Sequence, residues 1–300
     1  MTFEQLQIFI AVAEREHLTQ AAEAVRLTPS AVSSSIRSLE GFYGVELFHR
    51  VGRRIELTQA GRLFLPEAKA VVARAHAAAG MLNDIGHLRR GSLDIHASQT
   101  VASYWLPPYL AQFRAAYPGV DLEMVTANTQ AVADAVLDGR ADLGLVEGRI
   151  DHGALEMTSV ARDTLVIVAA PSHDLANGRA LTNADLAGLS WILRERGSGT
   201  RSEFEAALKA TGLAPEALTV ALTLPSNEAV LSAVRHGNAA TAVSAIAAEP
   251  LLSLRAVVRL NYDLPQRHFY LLRHKERHRT RTAAAFCDLL ARDTRESQKD

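Results

Sequence analysis

The sequence predicts an α/β protein preceded by an all-α winged helix-turn-helix and a long linker helix, the α/β part being doubled into two lobes. Three observations predict it. Two short helical stretches flank a Thr-Pro break near the N-terminus, the second with a polar outer face. A run of apolar residues alternating steps of three and four follows. Beyond residue 90, strand and helix patterns alternate, and one strand-helix segment recurs at an offset of 98 residues.

The totals bound the answer. Three hundred residues, 48% hydrophobic and 22% charged, suit about two domains with real cores. The N-terminus carries acids where a signal peptide needs a basic region, and no run approaches the ~20 apolar residues of a membrane span. One cysteine, Cys287, allows no internal disulfide. A cytoplasmic protein without membrane partner, metal or cofactor is expected. Net charge is −1, so a polyanionic partner must be met by local charge. Between Arg26 and Arg62 six arginines stand against three acids. A second basic run, 267–282, reads as a strand followed by a solvated helix start.

Leu6, Phe9, Ile10 and Ala13 share one face of a first helix. Thr19 is expected to cap a second, alanine-rich helix, and Thr28 to cap a third with Pro29 at its first position. In that third helix, Ser30 to Leu39, Val32, Ile36 and Leu39 form an apolar stripe, and Ser30, Ser33, Ser34 and Arg37 cluster opposite. Such a helix suits a DNA major groove while the second crosses the backbone. YGVELFHR and VGRRIELT then read as a hairpin wing with Arg50, Arg53 and Arg54 near its tip, placed for phosphate or minor-groove contact. The alternative is a packing module that binds no DNA.

The run from Leu6 to Gly61, LTQAAEAVRLTPSAVSSSIRSLEGFYGVELFHRVGRRIELTQAG included, resembles the winged helix-turn-helix of LysR-type transcriptional regulators. The resemblance implies a recognition helix carrying Ser30, Ser33, Ser34 and Arg37, and a wing carrying Arg53 and Arg54. With Thr19, Thr28 and Arg50 these are the residues expected at double-stranded promoter DNA. Many members have Gln-Pro and Ser-Arg where this chain has Pro29-Ser30 and Ser33-Ser34. Base readout by bidentate side chains is therefore thin, and the wing is expected to carry more of the specificity.

From Thr58 to about Leu88 the chain is helical again, kinked by Pro66. Leu65, Ala68, Val72, Ala75, Ala79 and Leu82 form a seam, read as a dimerising face, with packing on its own domain as the alternative. RRGS, 89–92, marks a hinge. Then come SLDIHAS as strand, LPPYLAQFRAAY as helix, VDLEMVT as strand, QAVADAVLDG as helix and ADLGLVEG as strand, a rhythm implying a largely parallel sheet. QAVADAVLDGRADLGLV (130–146) matches EAVLSAVRHGNAATAVS (228–244), so two similar lobes are expected. Ser98-Gln99-Thr100 and Ser198-Gly199-Thr200 give each lobe a hydroxyl-rich turn at a strand's carboxyl end, where open α/β sheets bind ligands. Helix N-termini there favour an anion, although each polar group alone also reads as a simple cap.

ASQTVASYWLPPYLAQF, YPGVDLEM, DLGLVEG, WILRERGSGTR and SNEAV are similar to the two-lobed, periplasmic-binding-protein-like effector domain of LysR-type regulators. They fall nearest the branch that controls sulfur assimilation and carbon-dioxide fixation. The resemblance implies a small anionic effector at Ser98, Gln99, Thr100, Asn128, Thr129, Glu147, Glu195, Ser198, Gly199, Thr200 and Asn227. It further implies a homodimer or homotetramer that recruits RNA polymerase. The divisions expected are 1–58 for DNA, 59–88 for the linker helix and 91–300 for the effector. Lobe I is about 91–162 and 267–300, and lobe II about 163–266. An enzyme is disfavoured: no G-x-S-x-G elbow is present, His96, His152, His173, His236 and His268 are scattered and form no H-x-x-x-H pair, and a Glu147–Glu195 carboxylate pair across the cleft would lack an evident substrate.

Overall fold

The computed structural model describes residues 1–51, 54–86 and 91–296. The chain divides into two compact units, Met1–Leu82 and Asn83–Asp300.

In the first unit α1 (Phe3–Arg15) is closed at its start by a capping box between Thr2 and Gln5. The second helix, α2 (Leu18–Ala24), is capped by His17, not Thr19, which sits exposed inside the first turn. A cap must be extended backbone. His17 is extended, and Leu18 already packs against the core, so the helix starts one residue earlier than Thr19 would allow. Helix α3 (Pro29–Tyr43) begins as the sequence demands: the Thr28 hydroxyl accepts from Ala31 N, and Pro29 is the first helical residue. It runs four residues past Leu39 because the left-handed residue that ends it is Gly44, φ 66°. Strands β1 (Phe48–Val51) and β2 (Arg54–Leu57) pair antiparallel as the wing. Glu40 ties the wing to α3 by accepting the backbone N–H groups of Leu47 and Phe48.

Helix α4 (Gln59–Gly86) continues through Pro66. At its start Gly61 lies so close to β1's approach that a Cβ would meet Leu47 O at 2.2 Å. The first half of the expected seam belongs to the unit's own core: Ala68 is fully buried, with Leu65 and Val72 packed beside it, and Phe64 stacks on Phe9 at 5.0 Å. A heptad pattern says that a face is covered, not by what. Ala75 is exposed, and the side chains of Ala79 and Leu82 lie outside the described residues. The expected hinge is half outside them too, and Gly91 and Ser92 already belong to a strand.

The second unit is one nine-stranded sheet. Its first half contains β3 (Gly91–Ser98), a single π-turn at Val101–Trp105, α5 (Pro107–Ala116), β4 (Val120–Ala127), α6 (Thr129–Asp138) and β5 (Leu143–Glu147). The long β6 (Leu155–Ala169) leads into α7 (Asn183–Gly188), β7 (Ser190–Arg194), α8 (Gly199–Ala210), β8 (Thr219–Leu224), α9 (Asn227–Arg235), β9 (Ala240–Ser244), α10 (Ala245–Ser253) and the two-residue β10 (Val258–Arg259). Then β11 (Gln266–His274) returns to the first half, and α11 (Arg281–Glu296) closes on it.

Strand order is β4-β3-β5-β11-β6-β9-β7-β8, with β10 beside β6. The sheet is mixed, not largely parallel. Each lobe contributes a parallel trio, β4-β3-β5 and β8-β7-β9, and the strands crossing between lobes, β6 and β11, run antiparallel to their neighbours. Helices cover both faces of each trio. In lobe I, Leu93, Ile95, Phe113 and Phe286 pack on one face, and Val132, Val136, Val146 and Leu272 on the other. In lobe II alternate residues of β7 divide the same way, Trp191 and Leu193 toward Phe204 and Leu208, Ile192 toward Val230 and Val234. The offset repeat thus superposes α6–β5 on α9–β9.

Candidate functional site

Two sites arise from these elements, one in each unit. In the first unit α3 buries Val32, Ile36 and Leu39 and leaves Ser30, Ser34 and Arg37 exposed, with Ser33 half-buried beside them. The Thr28 and Ser30 hydroxyls lie 3.0 Å apart, so Thr28 acts first as a cap. Arg50 sits on β1 opposite Ile55, and Arg54 opens β2 opposite Val51. Arg53 lies outside the described residues.

The second site is the cleft between the lobes, centred on Glu147 at the carboxyl end of β5. Its side chain is almost fully buried, 1% exposed, and three hydroxyls donate to it. Ser98, the last residue of β3, donates to Oε2. Thr100, from lobe I, and Thr200, from α8 of lobe II, donate to Oε1 at 3.1 Å each.

The direction of those bonds is fixed by what lies behind them. Asn227 Nδ2 donates to the Thr100 hydroxyl at 3.0 Å, and Arg267 Nη1 donates to the Thr200 hydroxyl at 3.2 Å. Amide and guanidinium N–H groups accept nothing, and the two threonine hydroxyls lie 3.5 Å apart, so the shorter contacts to Glu147 take their protons. The cleft is therefore a set of converging donors, and the carboxylate is the acceptor they meet.

Gln99 bridges the lobes a step further out. Its Oε1 accepts from Asn227 N at 3.0 Å and Arg194 Nη1 at 3.2 Å, and its Nε2 donates to Glu228 at 2.6 Å. Tyr104 also donates to Glu228, at 2.9 Å; burial first and this bond second push its phenol up to about 12. Arg194, 3% exposed, holds Asn227 Oδ1 at 3.0 Å and grips both oxygens of Glu195. Glu195 is thus an arginine partner at the rim, whereas Glu147 is held by hydroxyls.

The other expected residues divide by role. Asn128 caps α6 through Ala131 N, and Thr129 donates to the carbonyl of Glu147 at 3.0 Å, so both position the walls. Gly199 lies where a Cβ would stand 2.0 Å from that same carbonyl, so only glycine lets α8 approach β5. Ser198 precedes α8 without making a cap bond, and its hydroxyl is buried without a partner among the described residues. The sequence places Arg194 near the GSGTR turn, but one buried cation escapes sequence reasoning, Arg267. Arg267 is 3% exposed, although it opens the run read as a strand and a solvated helix start.

Residues 3–62 match the model of the bacterial regulatory helix-turn-helix protein, lysR family, and residues 86–295 that of the LysR substrate binding domain. The chain is 34% identical over 290 residues to the HTH-type transcriptional regulator YeiE of Escherichia coli K12, itself described as uncharacterized, covering 96% of both. It is 31% identical to the RuBisCO operon transcriptional regulator of Allochromatium vinosum, covering 95% of this chain and 94% of that one. The fold is shared with full-length CbnR crystallised with its target DNA: TM-score 0.67 at 23% identity, over 97% of this chain and 99% of that one.

Proposed function

The chain belongs to the LysR family of bacterial transcriptional regulators, and on that premise we propose that its effector is a small oxyanion held between the two lobes. It is a DNA-binding regulator with an effector-binding domain, not an enzyme. The proposal concerns what the cleft takes and which residues take it. One observation carries it: the hydroxyls of Ser98, Thr100 and Thr200, from both lobes, converge as donors on one buried carboxylate. An oxyanion is the ligand such donors recognise, because charge-assisted hydrogen bonds outweigh neutral ones about twofold. Glu147 fills that position, so an anion enters by turning its carboxylate aside. Ser98, Gln99, Thr100, Glu147, Ser198, Thr200 and Asn227 form the site. Asn128, Thr129, Glu195 and Gly199 shape it.

We assign the DNA contacts to Ser30, Ser33, Ser34 and Arg37 of α3 and to the arginines of the wing. Residues 1–58 serve the DNA, 59–88 link, and 91–300 bind the effector, with lobe I at about 91–162 and 267–300 and lobe II at about 163–266. Leu63 and Val71, exposed on α4, offer the apolar surface for a second copy, and RNA polymerase is the expected further partner. A role at promoter DNA places the protein in the cytoplasm. Among the described residues no helix is long and apolar enough to cross a membrane. Lobe closure about β6 and β11 then alters the spacing of the DNA-binding units, by as much as the anion's affinity differs between open and closed states. The test is calorimetric titration of sulfate, sulfite and phosphate into the full chain and into Thr100→Val. The reading expects at least one anion to bind and the variant to lose about tenfold or more; wild-type protein that binds none of them refutes it.

A further inference from the structure

The buried arginine on the crossover strand is incompletely used. Arg267 donates through Nε to Asp163 Oδ2 at 2.6 Å and through Nη1 to Thr200 Oγ1 at 3.2 Å, and its guanidinium lies over the Phe269 ring at 5.8 Å. Asp163 is held in turn by the Ser244 hydroxyl at 2.7 Å. Both members of the ion pair are nearly inaccessible, with side chains 1% and 2% exposed. Yet among the described residues Nη2 has no partner. A buried donor left unsatisfied costs about 1–3 kcal/mol, more when charged. A second buried donor without a partner, Ser198 Oγ, stands two residues before Thr200. There the twelve-residue helix α8 opens with no side chain on its free N–H groups.

We propose that Arg267 is a ligand of the effector, donating through Nη2 together with Ser198 Oγ, and that the effector must present at least two oxygens. One oxygen takes the Thr100 and Thr200 hydroxyls now turned to Glu147. The second takes the two unpartnered donors. The guanidinium is already oriented by Asp163, so no side chain has to be ordered to reach the ligand. A trigonal or tetrahedral sulfur or phosphorus oxyanion meets both demands, and a halide, with one centre, does not. Arg267 and Asp163 stand on β11 and β6, so an anion drawn to Nη2 pulls directly on the strands that join the lobes.

This inference rests on reading the cleft as an anion site, and the experiment separates the two. Sulfate, sulfite, phosphate and bromide are titrated calorimetrically into the full chain and into Ser198→Ala, Arg267→Lys and Thr100→Val, with thermal unfolding of each. Removing an unpartnered hydroxyl leaves nothing unpaired, so Ser198→Ala is expected to melt at or slightly above the wild-type temperature while anion affinity falls about tenfold. A purely structural serine would not separate these two readouts. Arg267→Lys is expected to lose about a hundredfold and bromide to bind weakly throughout. Wild-type affinity in Ser198→Ala and Arg267→Lys, with loss in Thr100→Val, overturns the role of Arg267 and leaves the cleft reading standing. Wild-type affinity in Thr100→Val as well overturns both. Should Arg267→Lys fail to fold, unchanged affinity in Ser198→Ala alone overturns the proposal.

Discussion

Gly199→Ala exposes how tightly the effector cleft is built. A Cβ at this position would stand 2.0 Å from the Glu147 carbonyl oxygen, 2.5 Å from Thr129 Oγ1 and 2.7 Å from Glu147 Cγ. The nearest obstacle is backbone at the end of a strand, where Glu147 pairs with Phe269, so it cannot swing away as a long side chain would. Restoring an ordinary contact of 3.4 Å requires α8 and β5 to part by about 1.4 Å. Overpacking of that kind costs about 1–3 kcal/mol, and the Thr129 bond to the same carbonyl, at 3.0 Å, is worth about 1 kcal/mol more. A total near 3 kcal/mol lowers the melting temperature of a unit this size by roughly 6–12 °C. The same movement stretches the Thr200 hydroxyl from Glu147, so anion affinity falls with stability. The assay is calorimetric unfolding of the full chain followed by anion titration below the transition. A variant melting within about 1 °C of wild type, with unchanged affinity, would refute the reasoning.

Gly41→Ala is the opposite case: Gly41 lies inside α3 with nothing within 4 Å of a new Cβ. Helix propensity should therefore stabilise the first unit by about 0.5–1 kcal/mol, and a loss in denaturant unfolding would contradict this. Asp94, half-buried on β3, is pushed up to about 6, by burial first and then by Asp142, Glu123 and Asp121. A folded value above the unfolded one means that its contribution is fully favourable below about pH 4 and is lost as pH rises through 6. Discounted for partial exposure, Asp94→Asn should stabilise by about 1 kcal/mol at pH 8 and by nothing near pH 4, and a pH-independent effect in urea unfolding would be inconsistent. Arg37→Ala should weaken promoter binding and reduce the salt slope measured by fluorescence anisotropy by about 0.9, and an unchanged slope would remove Arg37 from the phosphates.

The parts legible in the sequence are those fixed by near neighbours. Thr28-Pro29 starts α3 whatever surrounds it, and Val32, Ile36 and Leu39 can lie only on one side of a helix. The doubling of the lobes was readable because α6–β5 and α9–β9 repeat the same packing requirement. What failed depends on distant partners. Thr19 looked like a cap until Leu18, packing on the core, drew the helix back to His17. Leu65, Ala68 and Val72 make a seam, but only the fold shows that it meets Phe9 and Phe64. The strand alternation of β6 and β11 carries no sign of direction, so the sheet read as parallel. Arg267 was missed because the group that holds it, Asp163, lies 104 residues away. The hydroxyls of the cleft were found from turn position and resemblance, whereas Arg267, which orients the Thr200 hydroxyl, left no local mark.

The most direct test of the account is a DNase I footprint of the full chain on the promoter region upstream of its gene, with and without the anion that titrates into the cleft. Thr100→Val is run alongside. The account expects the protected region to change in extent or spacing when the anion saturates the wild-type cleft, and to stay as it was in the variant. A wild-type footprint that is identical with and without a bound anion would contradict it, because cleft and DNA would then be uncoupled.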